Sequence, residues 1–461
     1  MVIGGGVAGI AASTALADAG FRVELIEKRP LLGGRASSFV DSQTGRRLDE
    51  CQHGTMRCCT NLADLLERLG SHDKVDYHDT IHFLDSGGRR SVIRGCGLPA
   101  PFHTSLSFLT FRSLGLRDKL AIARGMLAML RSRPTEKDDA VSIETWFRAM
   151  GQTDRSVKRF WEPVLVSACN DSLDRISCTH AFKIFVDGFL KSAHAFEFGV
   201  PRVPLASLYT EPALAYLQKR GACVRVKTTV DAIAFEGDAI TGLTLQGGES
   251  VAADYYVSAL QCDLLLKLLP EEVANLGYFA PLNGIELAPI IGVHLWFDRE
   301  IDCPAALSLL DRESDWIFNK TKNFGLDPSE GTYLSVVISA PGPLAEWPRE
   351  KVIEHVLGDV KQCLPDVRSA NLTRSLMVKW PKATFSPRPG LEALRPDQRS
   401  PVRNLFVAGE WTRTGWPSTM ESAARSGYRA AEYVCEAEGT TRSFVAPDLR
   451  PGLLARMLAR R

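Results

Sequence analysis

The hydrophobic pattern at the start of the chain predicts a strand, a helix and a second strand in close succession. Val2-Ile3 is a short apolar run, residues 4–9 are rich in glycine, and residues 11–19 are small and mostly apolar up to Gly20. Residues 22–26 then show the apolar pattern of a buried strand. Because this order of elements usually pairs two parallel strands, we expect the chain to open with such a unit.

A second set of elements begins near residue 205. The pattern predicts a helix over residues 208–219 and then strands over 223–226, 230–235, 240–246 and 251–260. A last strand over 405–408 precedes a loop and a helix that starts near Ser418. Between these pieces, residues 76–204 are expected to be largely helical, and residues 271–397 to mix strands with proline-rich connections.

Composition and charge narrow the functional classes. The 461 residues carry a formal net charge of +1, which gives no electrostatic basis for a nucleic-acid partner. Eleven cysteines are scattered without the spacing of a metal site, so we expect reduced thiols in a cytoplasmic protein. The nearest candidate for a membrane span, residues 275–297, is interrupted by Pro281, Glu286 and Pro289, and no secretory signal is evident. The protein is therefore expected in the cytoplasm, either free or peripheral on the inner face of the cytoplasmic membrane.

The glycine-rich turn after the first strand predicts a dinucleotide site. Three glycines lie between a strand and a helix at GxGxxG spacing: Gly4, Gly6 and Gly9. This spacing lets the backbone and the start of the helix approach a pyrophosphate. Glu27 closes the second strand and is placed to accept hydrogen bonds from ribose hydroxyls. Gly34 and Arg35 follow, and the guanidinium group can offset the phosphate charge.

The last strand and helix predict the other half of the same site. Residues 405–408 lead into Gly409 and Glu410, whose carboxylate is placed to hold a ribityl hydroxyl. Thr419 and Met420 begin the next helix. A helix N-terminus directed at the flavin carbonyl region would stabilise negative charge on the reduced ring. Two such pieces at opposite ends of the chain favour FAD over NAD as the cofactor.

These pieces predict an α/β fold with a doubly wound, Rossmann-like FAD-binding domain. We assign that domain to residues 1–75, 205–270 and 398–438. A discontinuous α+β substrate-binding domain would comprise residues 76–204 and 271–397. Residues 439–461 would form a basic C-terminal tail, which we expect to be poorly ordered.

The arrangement resembles the amine oxidase and phytoene desaturase superfamily of flavoproteins. This resemblance implies that the backbone of Val230, at the start of a middle strand, contacts the adenine. Within the superfamily, several segments are similar to hydroxysqualene dehydroxylases, also called squalene-associated FAD-dependent desaturases: 49–54, 58–60, 161–163, 168–170, 201–205, 293–298 and 414–421. The chain departs from that pattern where Glu50-Cys51 replaces the more usual Asn-Gly.

The second resemblance implies reductive removal of the allylic hydroxyl of hydroxysqualene, which gives squalene for hopanoid or sterol synthesis. The substrate would be a long-chain isoprenoid, and isoprenoid synthases would be candidate partners. His53 is the first candidate for the proton donor, because an imidazole titrates near neutral pH, but a structural histidine beside the cofactor explains it equally well. Gln52 would orient the flavin or the substrate oxygen.

Three other functions stay open. A carotenoid desaturase of the phytoene type would share the FAD domain and an apolar tunnel but would oxidise its polyene. A flavin amine oxidase usually carries a lysine on the strand that crosses the flavin, and residues 289–297 contain none. The third is a non-catalytic flavin-binding scaffold.

One segment of the substrate domain predicts either a surface that rests on a membrane or an ordinary helix with a solvated basic side. Its apolar residues are Leu106, Phe108, Leu109, Phe111, Leu114 and Leu116, and its basic residues are Arg112, Arg117, Lys119 and Arg124. The basic tail is a further candidate for membrane contact.

Overall fold

The computed structural model describes residues 1–132 and 135–459. Within them lie twenty strands, β1 to β20, with these bounds: Val2–Ile3, Glu24–Ile26, Ser38–Val40, Arg47–Asp49, Thr55–Met56, Val75–His78, Thr80–Leu84, Arg90–Arg94, Phe198–Pro201, Cys223–Arg225, Val230–Glu236, Ala239–Leu245, Ser250–Val251, Tyr256–Ser258, Leu287–Phe297, Ala306–Leu309, Trp316–Asn319, Thr332–Ser339, Leu372–Phe385 and Leu405–Val407. The same residues contain sixteen α-helices, α1 to α16: Val7–Asp18, Thr60–Arg68, Ser105–Leu109, Leu116–Arg131, Glu136–Asp139, Ile143–Ala149, Asp154–Ser156, Glu162–Cys169, Cys178–Phe185, Ala206–Lys219, Cys262–Leu268, Glu271–Ala274, Lys320–Asn323, Arg349–Cys363, Met420–Ala437 and Leu453–Ala459.

Five parallel strands form the sheet beneath the glycine-rich turn, in the order β10-β2-β1-β14-β20. Val2 pairs with Leu25 on one side and with Val257 on the other, and Tyr256 pairs with Leu405. The chain therefore adds strands to both sides of β1, and the carboxyl ends of all five meet at one edge. The α/β fold predicted from the sequence is confirmed.

The predicted strand over residues 251–260 is in fact two strands in two sheets. β13 ends at Val251 and belongs to the antiparallel sheet β11-β12-β13, whereas β14 begins at Tyr256 in the parallel sheet. Between them, the Ala253 N–H donates to the Tyr256 hydroxyl at 2.9 Å. The prediction of one continuous strand is wrong because an apolar run does not show where the chain changes sheets.

Helices α1 and α15 hold the two ends of the chain together on one face of the parallel sheet. A Cβ atom at Gly427 of α15 would overlap the carbonyl oxygen of Ala8 in α1, so the two helices touch through their backbones. The other face of the sheet packs against β11-β12-β13 and α11 through Ile233, Leu243 and Leu265. This packing places the start of α15 beside the start of α1.

The substrate side of the molecule contains a seven-stranded sheet in the order β19-β15-β18-β17-β16-β7-β8. Val293 and Leu295 of β15 face the core that includes α14, whereas Gly292 faces residues 50 and 51. Strands β7 and β8 come from the region predicted to be largely helical, so that prediction is only partly right. The two strands were missed because β7 pairs with β16, which is far away in the sequence. The five residues of β7 alone show little of the hydrophobic pattern that identifies a strand.

The C-terminal segment is packed, and the prediction of a poorly ordered tail is wrong. The Val445 N–H donates to Glu432 at 3.0 Å, and the Ala446 N–H donates to Asn61 at 2.8 Å. Helix α16 follows and buries Ala455. The sequence did not reveal this packing because Asn61 and Ala446 are 385 positions apart.

Helix length and polarity also bear on membrane contact. Among residues 1–132 and 135–459, no helix is both long enough and apolar enough to span a bilayer.

Candidate flavin site

The turn between β1 and α1 has the shape that a phosphate-binding turn requires. Gly4 has φ of +100°, a conformation that glycine adopts without strain. A Cβ atom at Gly9 would overlap the Gly4 carbonyl oxygen, so glycine permits the close packing of strand and helix. By contrast, a Cβ atom at Gly6 would meet only the Cα atom of Gly34, at 3.9 Å. Gly6 therefore leaves open space at the start of α1.

A second glycine turn lies directly over the first. The Gly33 N–H donates to the Gly5 carbonyl at 2.8 Å. Gly34 has φ of +62°, and a Cβ atom there would lie 3.0 Å from the Cα atom of Gly6. Two backbone segments without side chains thus border the N-terminus of α1, whose partial positive charge favours an anion. This cradle fits the pyrophosphate of FAD.

Glu27 is fixed at the carboxyl end of β2. Its Oε2 accepts from the Gly5 N–H and its Oε1 from the Arg29 N–H, each at 2.7 Å. A carboxylate oxygen has a second lone pair, so a ribose hydroxyl can still donate to Glu27. The Thr228 N–H donates to the Glu27 carbonyl at 3.0 Å, which brings the start of β11 to this edge of the sheet. Val230 therefore lies close by, and its contact with adenine stays a prediction.

Gly409 and Glu410 follow β20 at the same edge. Gly409 has φ of +147°, and its N–H donates to Ser426 of α15 at 2.8 Å. Glu410 is buried, and its Oε2 pairs with Arg35 at 2.6 Å. Its Oε1 is buried without a hydrogen-bond partner among the described residues, which fits a ribityl hydroxyl as the missing donor. Arg35 pairs with Glu410 in the chain alone, and its predicted role of offsetting the phosphate charge stays a prediction.

The start of α15 lies against the second glycine turn. The Thr419 hydroxyl caps the helix by accepting from the Ser422 N–H at 3.2 Å. The sulfur of Met420 accepts from the Tyr209 hydroxyl at 3.2 Å, and the Tyr209 ring lies 3.5 Å from the Cβ position of Gly33. The structure therefore brings together, at one edge, the residues predicted from the two ends of the chain.

Gln52 and His53 lie on the segment between β4 and β5. Gln52 is buried, its Nε2 donates to the His53 carbonyl at 3.1 Å, and its Oε1 has no partner in the part of the chain that is described. The His53 Nδ1 lies 3.1 Å from the Cys51 carbonyl oxygen. Burial lowers the pKa of His53, so its imidazole is neutral near neutral pH. His53 is therefore better suited to holding a hydrogen bond than to carrying a proton as a cation.

A buried ion pair beneath this segment was not predicted from the sequence. Lys320 Nζ and Asp49 Oδ2 lie 2.7 Å apart, and each side chain is only 1% exposed. Asp49 also accepts from the Leu205 N–H at 2.8 Å. Lys320 was missed because a lysine was sought only within residues 289–297. This residue lies on α13 and reaches the region only in the folded chain. Its charge is matched by Asp49.

His294 on β15 belongs to the same buried region. Its Nδ1 lies 2.7 Å from the Tyr333 hydroxyl, and its side chain is fully buried. Burial lowers the pKa of His294 to about 4. This histidine is therefore neutral and acts in packing and hydrogen bonding.

A cavity of about 190 Å³ lies among residues 78–82, Phe198, residues 305–306 and Trp316. His78 and Thr80 contribute polar walls, and Phe198 and Trp316 contribute aromatic walls. The Phe198 and Trp316 rings stack with centroids 5.4 Å apart, and a Cβ atom at Gly54 would overlap the Phe198 ring. Phe198 thus connects the cavity to the segment that carries Gln52 and His53, a link that no local sequence signal shows.

Comparison with known proteins agrees with this geometry. Residues 7–435 match the family described as flavin containing amine oxidoreductase. A probable zeta-carotene desaturase from Synechococcus elongatus is 27% identical over 475 residues, covering 95% of this chain and 98% of the relative. A 15-cis-phytoene desaturase from Solanum lycopersicum is 26% identical over 456 residues, covering 95% and 77%.

The fold is also similar to that of solved structures. A crystal structure of an oxidoreductase from Methanosarcina mazei has a TM-score of 0.72 at 18% identity, covering 94% of this chain and 99% of that one. The chain belongs to the flavin containing amine oxidoreductase family and is an FAD-dependent oxidoreductase.

Proposed function

We propose that this protein desaturates a long-chain isoprenoid hydrocarbon, with bound FAD as the acceptor of the hydrogen removed. The named relatives are carotene and phytoene desaturases, and the similarity runs along 95% of the chain. From the sequence alone, this function is an alternative to hydroxysqualene dehydroxylation. We place it first because those relatives are desaturases.

The observation that carries the proposal is the aromatic wall of Phe198, Trp316 and Phe318, which meets Gly54 through Phe198. Trp316 contacts both Phe198 and Phe318, with ring centroids 5.4 and 5.8 Å away, and the two phenylalanine centroids lie 6.3 Å apart. Such a wall binds a polyene by burying its apolar surface and keeps water from the reacting carbons. Nearby, His53 is neutral and Lys320 is paired with Asp49. Bound FAD would supply the redox chemistry. The protein would bind the substrate, orient it and exclude water from it.

Anaerobic mixing of the oxidised, FAD-loaded protein with detergent-solubilised phytoene or zeta-carotene tests the proposal. We expect loss of the oxidised flavin absorbance together with a shift of the polyene absorbance to longer wavelength, as conjugation lengthens. Trp316→Ala should raise KM with FAD occupancy unchanged, whereas Trp316→Phe should retain most of the binding. An oxidised flavin that persists with both polyenes would rule out desaturation of these substrates.

Reductive removal of an allylic hydroxyl, as from hydroxysqualene, is the second candidate. Gln52 favours it, because its buried Oε1 has no partner among the described residues and can accept a hydrogen bond from a substrate hydroxyl. A hydrocarbon polyene offers no such donor. Its test starts from protein whose flavin is chemically reduced without oxygen. Addition of hydroxysqualene should restore the oxidised flavin spectrum and yield squalene, and Gln52→Leu should impair this reaction selectively.

The two tests together separate three outcomes. Turnover only from oxidised flavin supports desaturation, and turnover only from reduced flavin supports dehydroxylation. Stoichiometric FAD binding without turnover in either direction would favour the non-catalytic scaffold.

A further inference from the structure

Exposed apolar side chains are concentrated in one part of the molecule. The described residues contain twelve large apolar side chains that are exposed, and eight of them come from two segments. These eight, which we call the apolar face, are Leu98, Phe102, Leu106, Leu109, Leu116, Leu120, Leu453 and Met457. Their exposed fractions run from 43% to 72%. Single exposed leucines are ordinary, but such clustering marks an interaction surface.

Contacts join the two segments that form the apolar face. Within the first segment, Lys119 of α4 donates to the carbonyl of Leu109 in α3 at 2.6 Å. Arg131, at the end of α4, donates to a backbone carbonyl of α16 at 3.3 Å. Gly452, just before α16, packs beside Ala100. The outward residues of α16 therefore extend the surface formed by residues 98–120.

The charged residues of the two segments that form the apolar face are almost all positive. Residues 94–131 contain six basic residues: Arg94, Arg112, Arg117, Lys119, Arg124 and Arg131. The one acidic residue there, Asp118, is buried and accepts from the Gly115 N–H at 2.8 Å and from the Thr153 hydroxyl at 2.6 Å. Arg450 and Arg456 add positive charge near α16. Exposed leucines bordered by cations complement a surface that offers both acyl chains and phosphates.

We propose that the apolar face docks on an anionic lipid bilayer, with its leucines at the boundary between headgroups and acyl chains. A second copy of the chain is the poorer occupant, because pairing two such faces would bring their cations together without acidic partners. The same cations interact favourably with the phosphates of anionic lipids.

The chain just before Leu98, the first residue of the apolar face, borders the cavity described above. The Gly95 N–H donates to the carbonyl of Asp79 at 3.3 Å, and Asp79 lines the cavity. A docked protein can therefore take an apolar substrate from the bilayer into the cavity. This last step rests on the proposed function, whereas docking itself does not.

Vesicle flotation of the FAD-loaded protein tests the docking. One set of vesicles contains phosphatidylcholine alone, and the other contains equal parts of phosphatidylcholine and phosphatidylglycerol. We expect the protein to float with the anionic vesicles and much less with the neutral ones, and added salt should weaken the binding. Protein that floats with neither set would overturn the proposal.

Matched variants distinguish binding through the apolar face from nonspecific hydrophobic binding to vesicles. The triple variant Leu106→Ser, Leu109→Ser, Leu453→Ser should lower the partition coefficient about tenfold or more. The control places serine at three exposed apolar positions elsewhere, Val141, Leu276 and Leu326, and should bind as wild type. FAD absorbance and unfolding temperature, unchanged in both, show that the variants are folded. An equal loss in both triple variants would contradict the assignment.

Charge reversal tests the lipid specificity. Arg112→Glu with Arg117→Glu should reduce binding to the anionic vesicles on the order of tenfold or more. Arg349→Glu with Lys361→Glu, on exposed positions of α14, is the control and should leave binding unchanged. A different outcome is a wild type that forms a dimer and does not bind vesicles, with the triple leucine-to-serine variant monomeric. In that case the apolar face is an interface between copies of the chain, and the proposal fails.

Activity with two forms of substrate separates docking from catalysis. The triple leucine variant should keep wild-type turnover of detergent-solubilised polyene and lose turnover of polyene held in anionic vesicles. Vesicle binding without any turnover would leave docking intact and remove the proposed function. Turnover from vesicles that is unaffected by the variant would remove the delivery step.

Discussion

At the scale of single residues, two glycines of one turn should respond differently to the same substitution. Gly6→Ala has room for its methyl group in the chain alone, so the stability of the cofactor-free protein should change by less than about 0.5 kcal/mol. The methyl group would intrude where the pyrophosphate is predicted to lie, and FAD affinity should fall at least about tenfold.

Gly9→Ala is the matched control, because its methyl group would overlap the Gly4 carbonyl oxygen. It should destabilise even the cofactor-free protein by more than about 1 kcal/mol. Denaturant unfolding and FAD titration measure the two effects separately. Unchanged FAD affinity in Gly6→Ala would mean that the pyrophosphate does not approach this turn.

His294 gives a prediction for pH at the same scale. Its pKa falls from an ordinary 6.5 to about 4 because of burial, so well above pH 6.5 neither the folded nor the unfolded state is protonated there. As the pH falls through this interval, only the unfolded chain takes up the proton, and the free energy of unfolding drops. The loss from this residue should reach about 2 kcal/mol by about pH 5.

Denaturant unfolding at neutral and mildly acidic pH measures this loss. His294→Gln should show a smaller decrease in unfolding free energy on acidification than the wild type. His72→Gln, at an exposed histidine, should behave as the wild type. The same decrease in all three proteins would show that His294 is not the group responsible.

At the scale of elements, the contact between α1 and α15 should be sensitive to one methyl group. Gly427→Ala would push α15 from the Ala8 carbonyl, so we expect destabilisation by about 2 kcal/mol and weaker FAD binding, since these helices carry the two halves of the site. Gly358 lies inside α14 with open space around its Cβ position. Gly358→Ala should therefore stabilise the protein by up to about 1 kcal/mol. Thermal unfolding of both variants, with and without FAD, checks the contrast.

The elements that could be predicted are those whose signal is local. Gly4 to Gly9 follow a short apolar strand and precede a helix, and residues 405–410 form an apolar strand that ends in glycine and glutamate. The structure places these segments at one edge of the sheet. Their contacts with FAD stay predictions, because hydrogen-bond partners of a cofactor depend on its pose.

Pairings between distant positions could not be predicted. Lys320 and Asp49 are 271 positions apart, and nothing beside Lys320 in the sequence distinguishes it from a surface lysine. Arg35 pairs with Glu410 across nearly the whole chain, although each was assigned a separate role toward FAD. Charged side chains find partners through tertiary packing, which local periodicity does not encode.

At the scale of the whole molecule, the C-terminal segment ties the flavin side to the substrate side. Asp448 forms ion pairs with Lys183 of α9, at 2.9 Å, and with Arg425 of α15. Leu449 packs against the cluster of Cys58, Ala195 and Trp416, and Trp416 lies in the loop before α15. Asn61 links the same segment to the buried carboxylate of Glu421 at 2.8 Å. The segment thus fastens the loop that leads into the flavin half-site.

Two truncations separate this fastening from membrane contact. Removal of residues 440–461 deletes the ion pairs and exposes the surface under Leu449, so we expect the unfolding temperature to fall by about 5 °C or more and FAD to bind more weakly. Removal of residues 453–461 deletes α16 with Leu453 and Met457, and we expect a smaller change in both quantities but weaker vesicle binding. Thermal unfolding and FAD titration of the two chains measure the difference. If the chain that lacks residues 440–461 bound FAD as tightly as the wild type, the loop before α15 would keep its shape without the C-terminal segment.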